Sequence, residues 1–410
     1  MPMLDAAVWL AALVLAPPLA LVGVESLASL GRRARGAPRQ APRTAVLIPA
    51  HDEEAEIART LIEVRRELRE GDRLVVVADN STDATAEIAA SHGAEVVERV
   101  DALRAGKGFA LEAGIRHLAS DPPEVVVVVD ADCRPEPGAL RRIAARAGSE
   151  ERAVQGASLV APSDAGFISK VSALAFHARN EIRPGGLEKL GLPVLLQGTG
   201  MAIPWTQIQG APLGSDHLAE DRKLGIFLAI EGNSPRFEPE ARFWSSLEPA
   251  ASASGGQRSR WERGHFAVVA EEIPRLLGRA VRERRGDLGV LAAELSVPPL
   301  ALLLKAWLAS VLLALGLGAS APATAAVILP GAACFLLLGV ASARSHSAPV
   351  SSGFLLAAPL YALAKAPLYV RALAGQKMGW VRARRGAADA EPAVVPSPSQ
   401  PSASQCASAD

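Results

Sequence analysis

The sequence predicts an α/β domain built on a parallel sheet and flanked by apolar helices of membrane length, and three observations predict it. Between residues 44 and 147, short β-rich runs alternate with helical stretches, the order that crossover helices impose on a parallel sheet. The run 125–129 is unbroken valine; a strand without polar alternation is buried on both faces, as central strands of such sheets are. Hydrophobic residues make up 50% of the chain, more than a soluble domain usually carries, so part of the chain faces lipid.

The elements follow in order. Residues 6–24 carry no charge and lie between Asp5 and Glu25, close to the ~20 apolar residues that cross a bilayer. The arginines follow this run, which predicts a retained span, because a cleaved signal peptide carries its positive charge in front. Pro17 and Pro18 allow a kink if neighbours satisfy the freed carbonyls. Residues 1–30 are therefore a transmembrane helix, and 31–43 a basic linker that the positive-inside bias puts in the cytoplasm.

Strands are predicted at 44–49, 73–78, 94–97 and 124–129, and helices at 53–70, 84–92, 107–118 and 137–147. Further strands, loops and short helices complete one catalytic-size domain over 44–265. Leu276, Leu277 and Val281 at helical spacing predict a surface-lying helix over 266–290, within an interfacial segment 266–297. Two more spans fit 298–317 and 323–343, with Lys305 near enough to the cytoplasmic end to snorkel. In 344–385, Pro359, Lys365, Pro367 and Arg371 interrupt the apolar stretch 353–373. An interfacial or re-entrant segment there keeps the basic run 377–385 in the cytoplasm. Residues 386–410, mostly Ala, Ser, Pro and Gln, read as a disordered tail. The whole predicts a multi-pass protein of the inner or plasma membrane.

The formal net charge is zero, and the two basic clusters flank apolar segments without interleaved aromatics, so no nucleic-acid partner is implied. Cysteines at 133, 334 and 406 have neither metal-ligand nor disulfide-framework spacing, which suggests a reducing compartment.

Four polar clusters carry the candidate chemistry. Asp130-Ala131-Asp132 closes the valine strand; two carboxylates there suit magnesium or manganese bridging a diphosphate, while acids at strand ends also form turns. Asp79 ends the second strand and leads into Asn80 to Asp83, which reads both as a helix cap and as a contact for a base or ribose. His51, Asp52 and Glu53, at the first strand end, have the same double reading, with Ala50 beside them as a further donor contact, and Lys107 opens a helix where its ammonium and nearby amides can meet phosphate, or is an ordinary surface lysine. Glu220-Asp221 offers a carboxylate to remove a proton from an acceptor hydroxyl, or simply a charged helix face. Gln257, Arg260 and Trp261 place amide, guanidinium and indole groups within two turns, a set for a diphosphate and a sugar ring, or an interfacial helix end.

Taken in this order, these elements resemble the family 2 glycosyltransferases, in particular the membrane-bound branch with cellulose, hyaluronan and ceramide-glucose synthases. The resemblance covers about 44–265. It implies a nucleotide-diphospho-sugar transferase domain of the Rossmann-like GT-A type with flanking transmembrane helices. It makes Asp79 similar to the nucleotide-binding aspartate, Asp130 and Asp132 to the D-x-D pair with its metal, and Asp221, beside Glu220, to the catalytic base. Gln257, Arg260 and Trp261 match Q-x-x-R-W, and Gly198, Thr199 and Gly200 resemble the acceptor-side loop. Pro49 to Glu54 resembles P-A-H-N-E-E, with Asp52 replacing Asn, and Ala219 stands where the T-E-D element has Thr.

The implied activity is inverting transfer of a sugar, a UDP-sugar by preference, to a hydroxyl of a lipid-linked or glycan acceptor at the bilayer. About three spans are too few to enclose a polysaccharide channel, so a processive exopolysaccharide synthase would need export or polymerisation partner proteins. A sugar nucleotidyltransferase and a non-catalytic membrane scaffold are the readings from other classes.

Overall fold

The computed structural model describes residues 2–31, 42–162, 167–214, 219–246, 256–345 and 347–349. The linker at 32–41, the segment 353–373, the basic run 377–385 and the tail lie outside the described residues.

The chain opens with α1 (Pro2–Ser29). The sheet domain begins with β1 (Thr44–Ala50), α2 (Ile57–Glu67), β2 (Arg73–Asp79), α3 (Thr85–Ser91), β3 (Glu95–Arg99), α4 (Lys107–Leu118) and β4 (Val125–Val128). It continues through β5 (Arg134–Pro135), α5 (Ala139–Glu150), β6 (Val154–Ala161), α6 (Phe167–His177), a π-helical turn (Ala178–Ile182) and α7 (Arg183–Lys189). Then come β7 (Met201–Pro204), α8 (Trp205–Ile208), α9 (Glu220–Ile230) and β8 (Arg236–Ser246), followed by α10 (Gly256–Arg282), α11 (Gly286–Ser296), α12 (Leu300–Gly316) and α13 (Ala321–Arg344).

The eight strands form one sheet in the order β3-β2-β1-β4-β7-β6-β8-β5. Strands β1 to β4 are parallel, with Val46 opposite both Leu74 and Val127. β7 then enters antiparallel to β4 and β6, while β6 and β8 run parallel. Successive strand residues point to opposite faces, and this splits the core in two. Val46, Ile48, Val76 and Val127 pack with Ile57 and Leu61 of α2 and Leu140 and Ile143 of α5. Ala45, Leu47, Val75, Val126 and Val128 pack with Leu111, Ile115 and Leu118 of α4 and with Leu224 and Leu228 of α9.

The stretch expected as one surface-lying helix over 266–290 folds differently. It belongs to two helices, α10 and α11, and Leu276 is fully buried among Val268, Leu288 and Leu291 against Ile226 and Ile230 of α9. A long-range contact decides this: Arg285, in the turn between the two helices, donates to the carbonyls of Ala229 (2.6 Å) and Ile230 (3.1 Å).

Two helices, Met3–Ser29 and Ala321–Arg344, are long and apolar enough to cross a membrane. The pair Gly286–Ser296 and Leu300–Gly316, bent by 68°, adds a third only as one broken span. α1 packs on α12 and α13 through Val8, Ala12, Val22, Ala314, Val327 and Cys334. Leu10, Leu13, Leu312, Leu329 and Leu336 point away from this bundle and are exposed, an apolar belt that water would penalise and lipid would not.

Candidate active site

The carboxyl ends of β1, β2 and β4 lie side by side, which is where open parallel sheets bind ligands. The loops after β1 and β2 are joined by short polar contacts. Asp52 Oδ1 accepts from the Thr82 amide (2.7 Å), the Glu53 amide donates to Thr85 Oγ1 (2.8 Å), and His51 Nδ1 lies 2.7 Å from the Asp79 carbonyl. Asp52 and Asn80 both have φ of 53°, the left-handed region that Asn and Asp tolerate better than other side chains. Asp79 is buried; its Oδ1 accepts from Arg99 (2.5 Å) and Asn80 (3.1 Å), and its Oδ2 from the Gly106 amide (3.4 Å).

Lys107 is the hub. Opening α4, it extends its Nζ to Asp130 Oδ1 (2.5 Å), to the Gly198 carbonyl (2.7 Å) and to within 3.9 Å of Glu220 Oε1. A Cβ on Gly198 would stand 3.4 Å from Lys107 Nζ and 3.5 Å from Asp221 Oδ2, so Asp221 belongs to the same cluster. Gly198 and Gly200 have φ of 90° and 64°, and a Cβ on Gly200 would meet the Phe243 ring at 2.5 Å. Only glycine fits this loop without strain. Between them, Thr199 Oγ1 accepts the Asp130 amide (3.1 Å), and Gln155 Nε2 donates to the Thr199 carbonyl (2.8 Å).

The electrostatics follow from packing one cation among carboxylates. Burial pulls the Lys107 ammonium down, but the charges of Asp130, Glu220 and Asp221 outweigh it and hold Lys107 above its ordinary range. Burial pushes Glu220 up to about 7; Lys107 opposes this and the Asp221 charge adds to it. Two carboxylates thus stand together at the start of α9, and burial holds one of them, Glu220, above its ordinary range. Cys133, beside Asp132, is a buried free thiol pushed up to about 12 by burial and is inert.

The structure thus gathers His51, Glu53, Asp79, Lys107, Asp130, Gly198, Thr199, Gly200, Glu220 and Asp221 around one set of strand ends and its neighbouring loop, with Asp132 in the turn after β4. Ala50 and Ala131 are buried in the core, so any contact of theirs is through the backbone, and the Ala131 carbonyl already accepts from Thr60 (2.8 Å). Gln257, Arg260 and Trp261 lie on the first turns of α10; their side chains lie outside the described residues.

Sequence reasoning missed Arg99, which ion-pairs with Asp79, and Phe109, whose ring lies 5.5 Å from the Arg99 guanidinium and 4.8 Å from that of Arg104. The signal for Arg99 was available, since it ends the third strand as Asp79 ends the second. Gln155 gave none: it acts through a loop 44 residues away.

Residues 45–205 match the family model described as Glycosyl transferase family 2. The probable glycosyltransferase YdaM of Bacillus subtilis (strain 168) is 30% identical over 242 residues, 56% of this chain and 57% of that protein. An uncharacterized glycosyltransferase of Mycobacterium tuberculosis (strain ATCC 25618 / H37Rv) is 39% identical over 100 residues, 24% of this chain and 41% of that protein. The chain spans about half the length of the curated relatives it matches. In fold, the chain resembles a mannosyltransferase from Pyrobaculum calidifontis solved with GDP-Man and Mn2+. The TM-score is 0.51 at 19% identity, over 88% of this chain and 99% of that one. The sheet domain has the GT-A fold, and its residues 45–205 are those that match the glycosyl transferase family 2 model.

Proposed function

We propose that this glycosyl transferase family 2 domain moves a sugar from a nucleotide diphosphate sugar, in the first instance a UDP-sugar, to a hydroxyl of a lipid-linked or glycan acceptor at a membrane. It would act with inversion, in the manner of the membrane-bound branch of the family, with its cleft on the cytoplasmic side. The observation that carries this reading is the convergence of Asp130, Lys107, the Gly198 carbonyl and Glu220–Asp221 at the sheet's carboxyl edge.

The donor set fits a divalent metal of the magnesium or manganese kind. Asp130 and Asp132 supply carboxylate oxygen at a strand end, and among the described residues no group of three or more His, Cys, Asp or Glu is placed to hold a metal ion, so other ligands would complete the shell. Magnesium-type sites use one or two carboxylates and complete the shell with phosphate oxygens and water. When bound there, the ion would neutralise charge growing on the departing diphosphate.

The chain's own residues do the rest. Asp79, its charge balanced by Arg99, would receive the nucleoside. Lys107 and the amides at the start of α4 face the diphosphate, where a helix N-terminus favours anions. Asp221 takes the proton from the acceptor hydroxyl as its oxygen attacks the anomeric carbon and the diphosphate leaves. Glu220, held near neutrality by its burial, stays beside that proton and limits the negative charge in the cluster. Positioning and charge stabilisation then supply the catalysis, with no covalent enzyme intermediate.

The test is release of nucleoside diphosphate by purified full-length protein in lipid, given a panel of nucleotide sugars with manganese. Release with at least one donor, lost in Asp132→Ala, is expected. No release from any donor overturns the reading, and release of pyrophosphate from a nucleoside triphosphate and sugar phosphate points to a nucleotidyltransferase. Product length separates single transfer from a processive synthase.

A further inference from the structure

Glu25 is fully buried near the end of α1, a helix otherwise built for lipid. At 28 residues, α1 runs about 42 Å, longer than the ~30 Å hydrocarbon core, so its last turns reach the sheet domain. A plain anchor has no use for a carboxylate there, because burying a charge costs several kcal/mol unless it is paired.

Arg183 is the partner. Its Nε donates to Glu25 Oε2 (2.5 Å) and its Nη2 to Glu294 Oε2 of α11 (2.9 Å), with all three side chains buried. Next to this triad, a Cβ on Gly186 would stand 2.0 Å from the Glu25 carbonyl oxygen, so the α7 backbone lies directly on α1. At the far end of α7, Lys189 Nζ donates to the Gly31 carbonyl. Well-packed apolar residues would stabilise such a junction as well as a buried ion triad does. What the triad adds is one defined register between membrane helix and sheet domain.

That register leads into the site. Arg183 directly follows the π-helical turn, whose Ala178 and Ile182 pack on Leu338 and Ala341 of α13. On its other side, Asn180 Nδ2 donates to the Ser158 carbonyl (2.9 Å), and the Asn180 carbonyl accepts from Gln197 Nε2 (3.3 Å). The Gln197 amide donates to Gln155 Oε1 (2.8 Å), and the next residue, Gly198, holds Lys107 through its carbonyl. The path from Glu25 to Lys107 is thus a continuous series of short polar contacts and chain neighbours. π-Helical turns inside helices occur frequently at functional sites.

We propose that α1 is a working part of the catalytic cleft: the Glu25–Arg183–Glu294 triad sets the π-helical turn, and through it the Gln197–Gly198 loop, at a fixed height above the bilayer. Arg183 is a positioning residue. The inference rests on the transferase reading for its consequence in turnover, and on the geometry alone for its consequence in the loop.

Glu25→Gln is the decisive variant, because it keeps the side-chain shape and leaves Arg183 its second partner, Glu294. Expected in full-length protein in lipid nanodiscs are faster hydrogen–deuterium exchange of the 197–200 amides and a kcat for transfer lowered about ten- to a hundredfold, with donor KM unaltered. Arg183→Lys, a point charge in place of a fork, falls between wild type and Glu25→Gln. Leu13→Ala, on the exposed side of the same helix, changes neither exchange nor turnover. Wild-type exchange and turnover in Glu25→Gln overturn the proposal, as does an equal effect from Leu13→Ala. A fall in Tm and donor affinity together, without a change confined to 197–200, assigns the triad a structural role and also overturns it. A wild-type protein that releases no nucleotide removes the transferase reading, and the exchange comparison still decides the positioning.

Discussion

The two halves of the sheet are held together differently. The parallel half, β1 to β4 with α2 to α5, is dominated by aliphatic packing on both faces; apart from buried Glu67 of α2 and Arg146 of α5, its described charged groups sit at strand ends and on the surface. The mixed half, β5 to β8 with α6, the π-helical turn and α7, is threaded by buried ions. Arg146, reaching across from α5, meets Glu150 (2.8 Å), Glu188 (2.8 Å), Glu238 (3.4 Å) and the Phe237 carbonyl, and Arg183 meets Glu25 and Glu294. Ion pairs add directional contacts that apolar burial alone lacks. The half bordering the apolar helices α1 and α13 is the one with the larger share of buried ion pairs.

The largest expected effect tests whether the site at the seam of these halves divides labour as its electrostatics suggest. Asp221→Asn removes the carboxylate proposed as the base, and kcat should fall about a thousandfold with donor binding and Tm kept, as stopped-time assays and calorimetry would show. If Glu220→Gln suffers that loss and Asp221→Asn does not, the two carboxylates exchange roles.

Next in size is a direct contrast of the halves. Arg146→Met strands carboxylates in the mixed half and should cost about 3–5 kcal/mol. Leu61→Ala, in the apolar core of the parallel half, should cost about 2–5 kcal/mol by cavity formation. Their signatures differ: acidification that protonates the stranded glutamates should partly rescue Arg146→Met and leave the Leu61→Ala deficit unchanged. Equal pH dependence of the two denaturation midpoints would remove the distinction between the halves.

The smallest effect concerns Glu220 alone. Folded, it binds its proton up to about 7, against 4.5 for the ordinary group. The folded state therefore holds more protons in that window, and stability is lost as pH rises from about 4.5 to 7, by at most about 3 kcal/mol. Glu220→Gln removes this slope, so the variant should gain in Tm relative to wild type at pH 8 and not at pH 4. A gain of the same size at both would place the strain elsewhere.

The parallel half was legible because its information is local. All four strands and four helices expected over 44–147 appear within a few residues of their places, since valine runs, amphipathic spacing and strand-end acids are properties of short windows. The places of Asp79, Lys107, Asp130 and Asp221 at element ends were legible for the same reason: each stands at the edge of such a window. The mixed half resisted, because β7 joins antiparallel between β4 and β6, and no short window states which strand a neighbour will be. The helices after the sheet domain resisted too, since the Arg285 contact to α9 joins residues 55 and 56 apart.

By itself the sequence determined the chain's grammar: apolar segments for a membrane, alternating strands and helices, and polar residues at strand ends. These depend on side-chain character and spacing along a few turns. Only the tertiary structure decided that Lys107 is shared by Asp130, Gly198 and Glu220, that burial lifts Glu220 toward neutrality, and that Glu25 of the first helix meets Arg183. Those depend on distances across the fold, where desolvation and Coulomb energy change steeply over a few ångströms.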